Sequence, residues 1–314
     1  MSLRLVFMGT AELACASLLA LKRAPGGQVL AVVTQPDKPG GRKLQLQPPP
    51  VKQAALRENL PVLQPIRARD EAFIAELRAL APDLIVVAAY GQILPVSILE
   101  LPRYGCLNVH TSLLPKYRGA SPVQSAILQD QAETGVTIMK MDAGLDTGPI
   151  LTQATTPIRA EDDAQTLHDR LARLGAELLV QTIPDYVSGK ILPRPQPLTG
   201  VSHTAKIKKS DGQLDWSLPA RVLWNRIRAY TPWPGAFAQL PAEPQSRMLK
   251  IWQAEVIAAT GAPGEILAAG KAGIVIACGE GALRVSVLQL EGGRRLTAPE
   301  FLAGYRLTAG EKLS

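Results

Sequence analysis

A chain of 314 residues, 46% hydrophobic and 19% charged, is long enough for two domains with cores of their own. No apolar run approaches the ~20 residues that a membrane-spanning helix needs. Three distant cysteines, Cys15, Cys106 and Cys278, argue against a disulfide framework or a metal knuckle and read as reduced core residues of a cytoplasmic protein. The net charge of +7 is confined: up to Gly189 there are 18 basic and 18 acidic side chains, and beyond it 16 and 9. All four tryptophans (Trp216, Trp224, Trp233, Trp252) lie in that later stretch. A compact basic region fits a polyanion such as nucleic acid or anionic lipid, and it equally fits a solvated surface.

In chain order, the pattern predicts a strand over 3–9, a glycine turn and a helix over 12–23. That accounts for the first residues better than a signal sequence, because Gly9 and Glu12 interrupt the apolar run. Strands follow at 28–34, 60–64, 83–90, 106–110 and 135–142, alternating with helices at 50–59 (Pro50 in the first turn), 69–80 (Asp70 as N-cap) and 162–187. Alternation of this kind predicts an α/β fold with a doubly wound, mostly parallel, Rossmann-like sheet. "GKILPRPQPLTG", with three prolines in twelve residues, reads as a linker. A helix is expected at 217–230, then glycine-punctuated β-runs at 248–257, 264–270, 272–279 and 282–292, which suit a small β-barrel. The expected organisation is a catalytic domain over 1–189, a linker over 190–208 and a basic C-terminal domain over 209–314.

Ligands of open parallel sheets bind beyond the carboxyl ends of the strands. "CLNVH" delivers Asn108 and His110 to such an end, on one face, with Val109 on the other. His168 and His203, the other two histidines, have no polar pattern around them. A second polar cluster, "MDAGLDTGPI", follows the next strand. Asp142 there is explained by turn chemistry. Asp146 is a loop carboxylate that would reach His110, fix its tautomer and raise its pKa. An amide donor, an imidazole and a carboxylate suit attack on a carbonyl, with Asn108 binding the oxyanion. No nucleophile elbow is present, so direct transfer between two substrates is expected, and one His with one Asp is too few for a metal site. The absence of G-x-G-x-x-G after Gly9 and of a P-loop argues against a dinucleotide or ATP. The long Pro/Gly-rich connection over 34–50 carries Lys38, Arg42 and Lys43; it would close on a phosphate-bearing substrate, or simply be solvated.

"NVHTSLLPKYRGASP" and "MDAGLDTGP" resemble the signature segments of the 10-formyltetrahydrofolate-dependent formyltransferases. The resemblance extends over nearly the whole chain through "GTAELA", "TQPDKPGGRKL", "VVAAYGQILP", "LDWSLPA" and "IRAYTPWPGA". It departs at Thr111, where glycine is usual, and at Ala11, where proline is usual. It implies a formyl transfer from 10-formyltetrahydrofolate, without a metal, to the amine of an initiator methionyl-tRNA. Asn108, His110 and Asp146 then take the catalytic positions, and Ser112, Leu113, Leu114 and Pro115 line the folate site. Arg42 and Lys43 would touch the acceptor end, and Lys206, Lys208 and Lys209 the acceptor arm, with an OB-like barrel as the tRNA-binding domain. A monomer without membrane association is expected. The alternatives are a relative acting on glycinamide ribonucleotide or a nucleotide-linked amino sugar, one hydrolysing the folate, or a non-catalytic RNA-binding protein.

Overall fold

Along the chain to Thr204 come β1 (Leu3–Gly9), α1 (Glu12–Arg23), β2 (Gly27–Val33), β3 (Lys38–Gly40), β4 (Gln45–Gln47), α2 (Pro50–Arg57), β5 (Val62–Leu63), α3 (Glu71–Ala79), β6 (Leu84–Ala88) and α4 (Val96–Leu99). They are followed by β7 (Cys106–His110), β8 (Arg118–Gly119), α5 (Pro122–Leu128), β9 (Glu133–Lys140), β10 (Ile150–Pro157), α6 (Ala164–Val187) and β11 (His203–Thr204). The computed structural model describes residues 2–40, 45–241 and 246–314. It forms two units: the first runs to Pro122 and resumes at Glu133–Pro157 and His168–Thr204; the second holds Val123–Ala132, Ile158–Leu167 and Ala205–Ser314.

The first unit is built on a seven-stranded sheet of order β10-β9-β7-β6-β1-β2-β5. The five strands from β7 to β5 are mutually parallel. Every residue of β6 is buried, as a strand covered on both faces requires. Phe73 and Leu77 of α3 and Ile98 of α4 cluster with Val6, Met8, Ile85, Val87 and Cys106. Cys106, Asn108 and His110 share a face of β7 by alternation, so the two polar side chains continue that clustered face toward the carboxyl end of the strand. On the opposite face α6 lies close to β7. A Cβ at Gly175 would stand 2.8 Å from Val109 Cγ1, so a residue without a side chain is needed there.

Besides short elements that no expectation covered (β3, β4, α4, β8, α5 and β11), three features differ from the sequence expectations. β9 runs antiparallel to β7, and β10, not expected at all, runs antiparallel to β9. Asp70 stands at the N-cap of α3, but its carboxylate accepts from Arg67 N (3.2 Å) rather than from the helix. α6 begins two residues later than expected because Asp163 caps it: Asp163 Oδ1 accepts from Thr166 N (2.8 Å), and Thr166 Oγ1 accepts from Asp163 N (3.0 Å).

In the second unit a 3₁₀ turn (Lys209–Gly212) precedes α7 (Ala220–Ala229), β12 (Ala236–Leu240), β13 (Arg247–Ile257), β14 (Ile266–Gly270), β15 (Gly273–Ala277), β16 (Ala282–Leu290), β17 (Leu296–Thr297) and α8 (Ala298–Gly304). The strands form an antiparallel sheet of order β12-β13-β16-β15-β14, with β17 also on β16. The segment 311–314 joins its two edges. Ile266 N donates to Glu311 O (2.8 Å) and Leu313 N to Gly264 O (2.9 Å), while Ser314 N donates to Gln239 O of β12 (3.1 Å). The sheet is thereby closed into a small barrel, which removes its exposed edges. Leu223 and Ile227 of α7 and Phe301 of α8 pack with Ile251, Ile274, Leu283 and Leu288 as its core.

Candidate active site

β7 ends in Asn108 and His110, and the antiparallel β9 delivers the second polar cluster from the other direction. Met141 N donates to Cys106 O (2.8 Å) at the start of β7, so the loop that follows must fold back along the strand. It does so, and Asp146 arrives over the carboxyl end of β7. Its Oδ2 lies 3.6 Å from His110 Nδ1, and its Oδ1 lies 3.5 Å from Asn108 Nδ2. Gly119 N donates to Asp146 Oδ2 at 2.8 Å. Gly119 has φ 109°, and a Cβ there would stand 2.6 Å from Thr204 O, so only glycine brings that N–H to the carboxylate.

The electrostatics differ from the expectation for His110. Its Nε2 lies 3.0 Å from the carbonyl oxygen of Tyr117, which can only accept, so Nε2 carries the proton. Tyr117 therefore fixes the tautomer, and the lone pair of Nδ1 faces Asp146. The pKa of His110 is lowered rather than raised. Burial of the imidazole is the larger cause and outweighs the Asp146 carboxylate and the Tyr117 hydrogen bond, both of which oppose it. A neutral imidazole beside a carboxylate is a proton acceptor whose charged form already has its counter-ion in place. Two non-glycine residues here, Tyr117 (φ 62°) and Asp146 (φ 54°), occupy the left-handed region, which costs about 1–2 kcal/mol each and persists only where the surroundings enforce it.

The "SLLP" segment is held by a polar network that the sequence did not announce. Thr137 Oγ1 of β9 donates to Ser112 O (2.7 Å) and accepts from Leu114 N (3.1 Å) and Gln153 Nε2 (2.9 Å). Gln153 Nε2 also donates to Leu114 O at 3.0 Å. Ser112 is wholly buried with its hydroxyl donating to Lys116 O (2.6 Å), and Leu114 packs on Met139 and Ile150. Of the four expected folate residues, Leu113 and Pro115 keep exposed surface; Ser112 and Leu114 shape the turn from inside.

The proline-rich stretch is equally tied down. Arg194 and Ile150 exchange backbone hydrogen bonds (2.7 and 2.8 Å), Ser202 Oγ accepts from Tyr117 N (2.8 Å), and β11 pairs with β8. Gln196 donates to the carbonyls of Asp146 and Gly148, both at 2.8 Å. A glutamine between two prolines reads as spacer, so nothing in the pattern marked it.

Lys206, Lys208 and Lys209 are exposed at the entry to the second unit. Arg42 and Lys43 lie outside the described residues. Within the second unit, Arg221 and Arg228 stand over the Trp224 ring (4.5 and 3.9 Å), and Arg295 stands over Trp252 (3.5 Å). Trp224, Arg228, Trp252 and Arg295 line a cavity of about 520 Å³ to which Asn108, His110 and Asp146 contribute nothing.

The chain matches the formyl transferase family model over residues 3–183 and the model of the formyl transferase C-terminal domain over 206–306. It is 50% identical to the methionyl-tRNA formyltransferase of Citrifermentans bemidjiense, covering 98% of this chain and 95% of that protein. The chain belongs to the methionyl-tRNA formyltransferase family. This formyltransferase is also 48% identical to the corresponding protein of Myxococcus xanthus, over 98% of the chain and 97% of that protein. Among solved structures, its fold is that of an N-formyltransferase from Helicobacter canadensis in complex with folinic acid and dTDP-3-aminofucose (TM-score 0.64, 19% identity, 94% and 100% of the two chains). HypX from Aquifex aeolicus in complex with tetrahydrofolic acid shares it too (TM-score 0.64, 16% identity, 100% of this chain and 51% of that one). The formyl donor of the family is 10-formyltetrahydrofolate, a cosubstrate. Among the described residues no helix of the formyltransferase is long and apolar enough to cross a membrane.

Proposed function

We propose that Asn108, His110 and Asp146 transfer the formyl group of 10-formyltetrahydrofolate to the α-amine of initiator methionyl-tRNA. The supporting observation is the pairing of a buried, neutral His110, whose Nδ1 lone pair faces a carboxylate 3.6 Å away, with an amide whose second N–H has no partner among the described residues. The amine lone pair attacks the formyl carbon, and the carbonyl electrons move onto oxygen. Asn108 donates to that oxyanion. The attacking nitrogen becomes cationic and loses a proton to His110 Nδ1; the imidazolium is stabilised by Asp146. The same proton is returned to N10 as the C–N10 bond breaks, releasing tetrahydrofolate and formylmethionyl-tRNA. Leu113 and Pro115 contact the folate. Arg42 and Lys43, with Lys206, Lys208 and Lys209 and the basic second unit, hold the tRNA. The enzyme acts as a cytoplasmic monomer.

The test offers 10-formyltetrahydrofolate with initiator methionyl-tRNA, elongator methionyl-tRNA, glycinamide ribonucleotide, a nucleotide-linked amino sugar, or no acceptor. Formylation of the initiator tRNA at a rate well above the others is expected. Faster formylation of either small amine, or folate hydrolysis without acceptor, overturns the substrate assignment.

A further inference from the structure

We infer that Gln196 is a positioning residue for Asp146, and that the proline-rich segment around it clamps the carboxylate opposite His110. The inference rests on the catalytic reading of Asp146 given above.

Gln196 is 9% exposed and its amide is saturated. One edge donates to Asp146 O and Gly148 O, both at 2.8 Å. The other accepts from Arg118 Nε (3.1 Å) and Nη2 (2.7 Å). Arg118 sits between the two residues that define the other side of the pair: Tyr117, whose carbonyl receives His110 Nε2, and Gly119, whose N–H reaches Asp146 Oδ2. A single side chain thus ties the loop that orients His110 to the loop that carries Asp146. The latter has its pivotal residue at φ 54°, a conformation that needs external support. Pro195 and Pro197 fix φ on either side of Gln196, so little chain freedom is lost when the amide is held. Only an amide can donate twice on one edge while accepting a guanidinium on the other. A glutamate would keep Arg118 but set its charge against two carbonyl oxygens.

The test compares Gln196→Glu and Gln196→Leu with Asp146→Asn and the Gln196→Glu/Asp146→Asn double variant in the full chain. It measures thermal melting, kcat, KM for 10-formyltetrahydrofolate and the pH dependence of kcat. Misplacing a reacting group by about 1 Å costs on the order of 10²-fold, so kcat should fall about 10- to 100-fold in both Gln196 variants. The folate KM should be unchanged, and the pH profile displaced because the His110–Asp146 separation has changed. Gln196→Glu keeps the partner of Arg118 and should melt between Gln196→Leu and the parent; kcat is read well below each variant's melting temperature, where the chain is folded, so its loss is separated from unfolding. The double variant should be no slower than Asp146→Asn. Full activity of Asp146→Asn removes the catalytic reading and the clamp with it. An inactive Asp146→Asn beside Gln196 variants of parental kcat and pH profile removes the clamp alone, as does a double variant in which the two losses multiply.

Discussion

Thr137→Val removes one oxygen from the interior of the first unit and almost nothing else, since the two side chains have nearly the same shape. That oxygen uses its full capacity: it donates to Ser112 O and accepts from Leu114 N and Gln153 Nε2. Thr137 is wholly buried, so no solvent replaces it. The substitution leaves the Ser112 carbonyl and the Leu114 amide without partners, each costing about 1–3 kcal/mol, or about 2–6 kcal/mol together. Gln153 retains Leu114 O, so it adds little. Urea unfolding followed through the first unit should report that loss, and hydrogen exchange at Leu114 N–H should accelerate. Thr137→Ser keeps the hydroxyl and should cost about 1 kcal/mol, the value of a buried methyl group. The loss should also appear in kcat, because the turn from Ser112 leads to Tyr117 and hence to His110 Nε2. A valine variant within 1 kcal/mol of the parent, or a serine variant as damaged as valine, refutes the reasoning: the network would then be decorative.

Asn108→Ala should lose formyl transfer by roughly 10²- to 10³-fold with the fold intact, as expected of an oxyanion donor; a folded variant turning over normally would sink that role. Because burial depresses the pKa of His110 below the unfolded value near 6.5, the folded state resists protonation. Its stability should therefore be full above pH 6.5 and fall as the pH drops toward the folded value, a trend weakened in His110→Gln; denaturation at pH 7 and 5 checks the sign. Replacing Lys206, Lys208 and Lys209 by alanine should weaken tRNA binding and reduce its salt slope by up to about three, leaving folate binding unchanged; an unaltered slope would place the phosphates elsewhere. Alanine at both Arg42 and Lys43 should impair tRNA use alone, and equal damage to folate binding would give that loop a different task.

The parts of this architecture legible in the sequence are those where local pattern and tertiary environment agree. β6 is buried at every position and reads as a parallel strand because it is one. β7 could be placed, and Asn108 and His110 assigned to one face, because an apolar strand rarely carries polar residues at alternate positions unless something polar meets that face. The direction of β9 was not legible. It is buried almost throughout, so its apolar run is what a parallel strand would also show, and only the hydrogen-bond register distinguishes them. β10 was missed because one of its faces is polar, and "ILTQATTP" carries a weak strand pattern. The tautomer of His110 depends on a backbone carbonyl seven residues away, and backbone acceptors leave no mark in side-chain chemistry. Gln196 was concealed by its neighbours: prolines announce an absence of regular structure, not an absence of contacts.

The reversal of β9 makes the loop after it a ruler. Met141 is bonded to Cys106 at one end of β7, and Asp146 meets His110 at the other. Four strand steps cover roughly 13 Å, while the five steps from Met141 to Asp146 reach at most about 18 Å when fully stretched. The loop does not run at full stretch: Asp142 Oδ1 accepts from Gly144 N (3.0 Å) and Thr147 Oγ1 (2.6 Å), so the chain turns on Asp142 and the side chains of Asp146 and His110 span the remaining distance. Surface loops ordinarily absorb gained or lost residues at small cost. Removing a single residue from this one would break its turn on Asp142 and shift the carboxylate off the imidazole, and adding one would let the carboxylate drift. Among relatives that keep the chemistry, the spacing between these anchors should be invariant in length even where its composition changes, and engineered insertions belong elsewhere on the molecule.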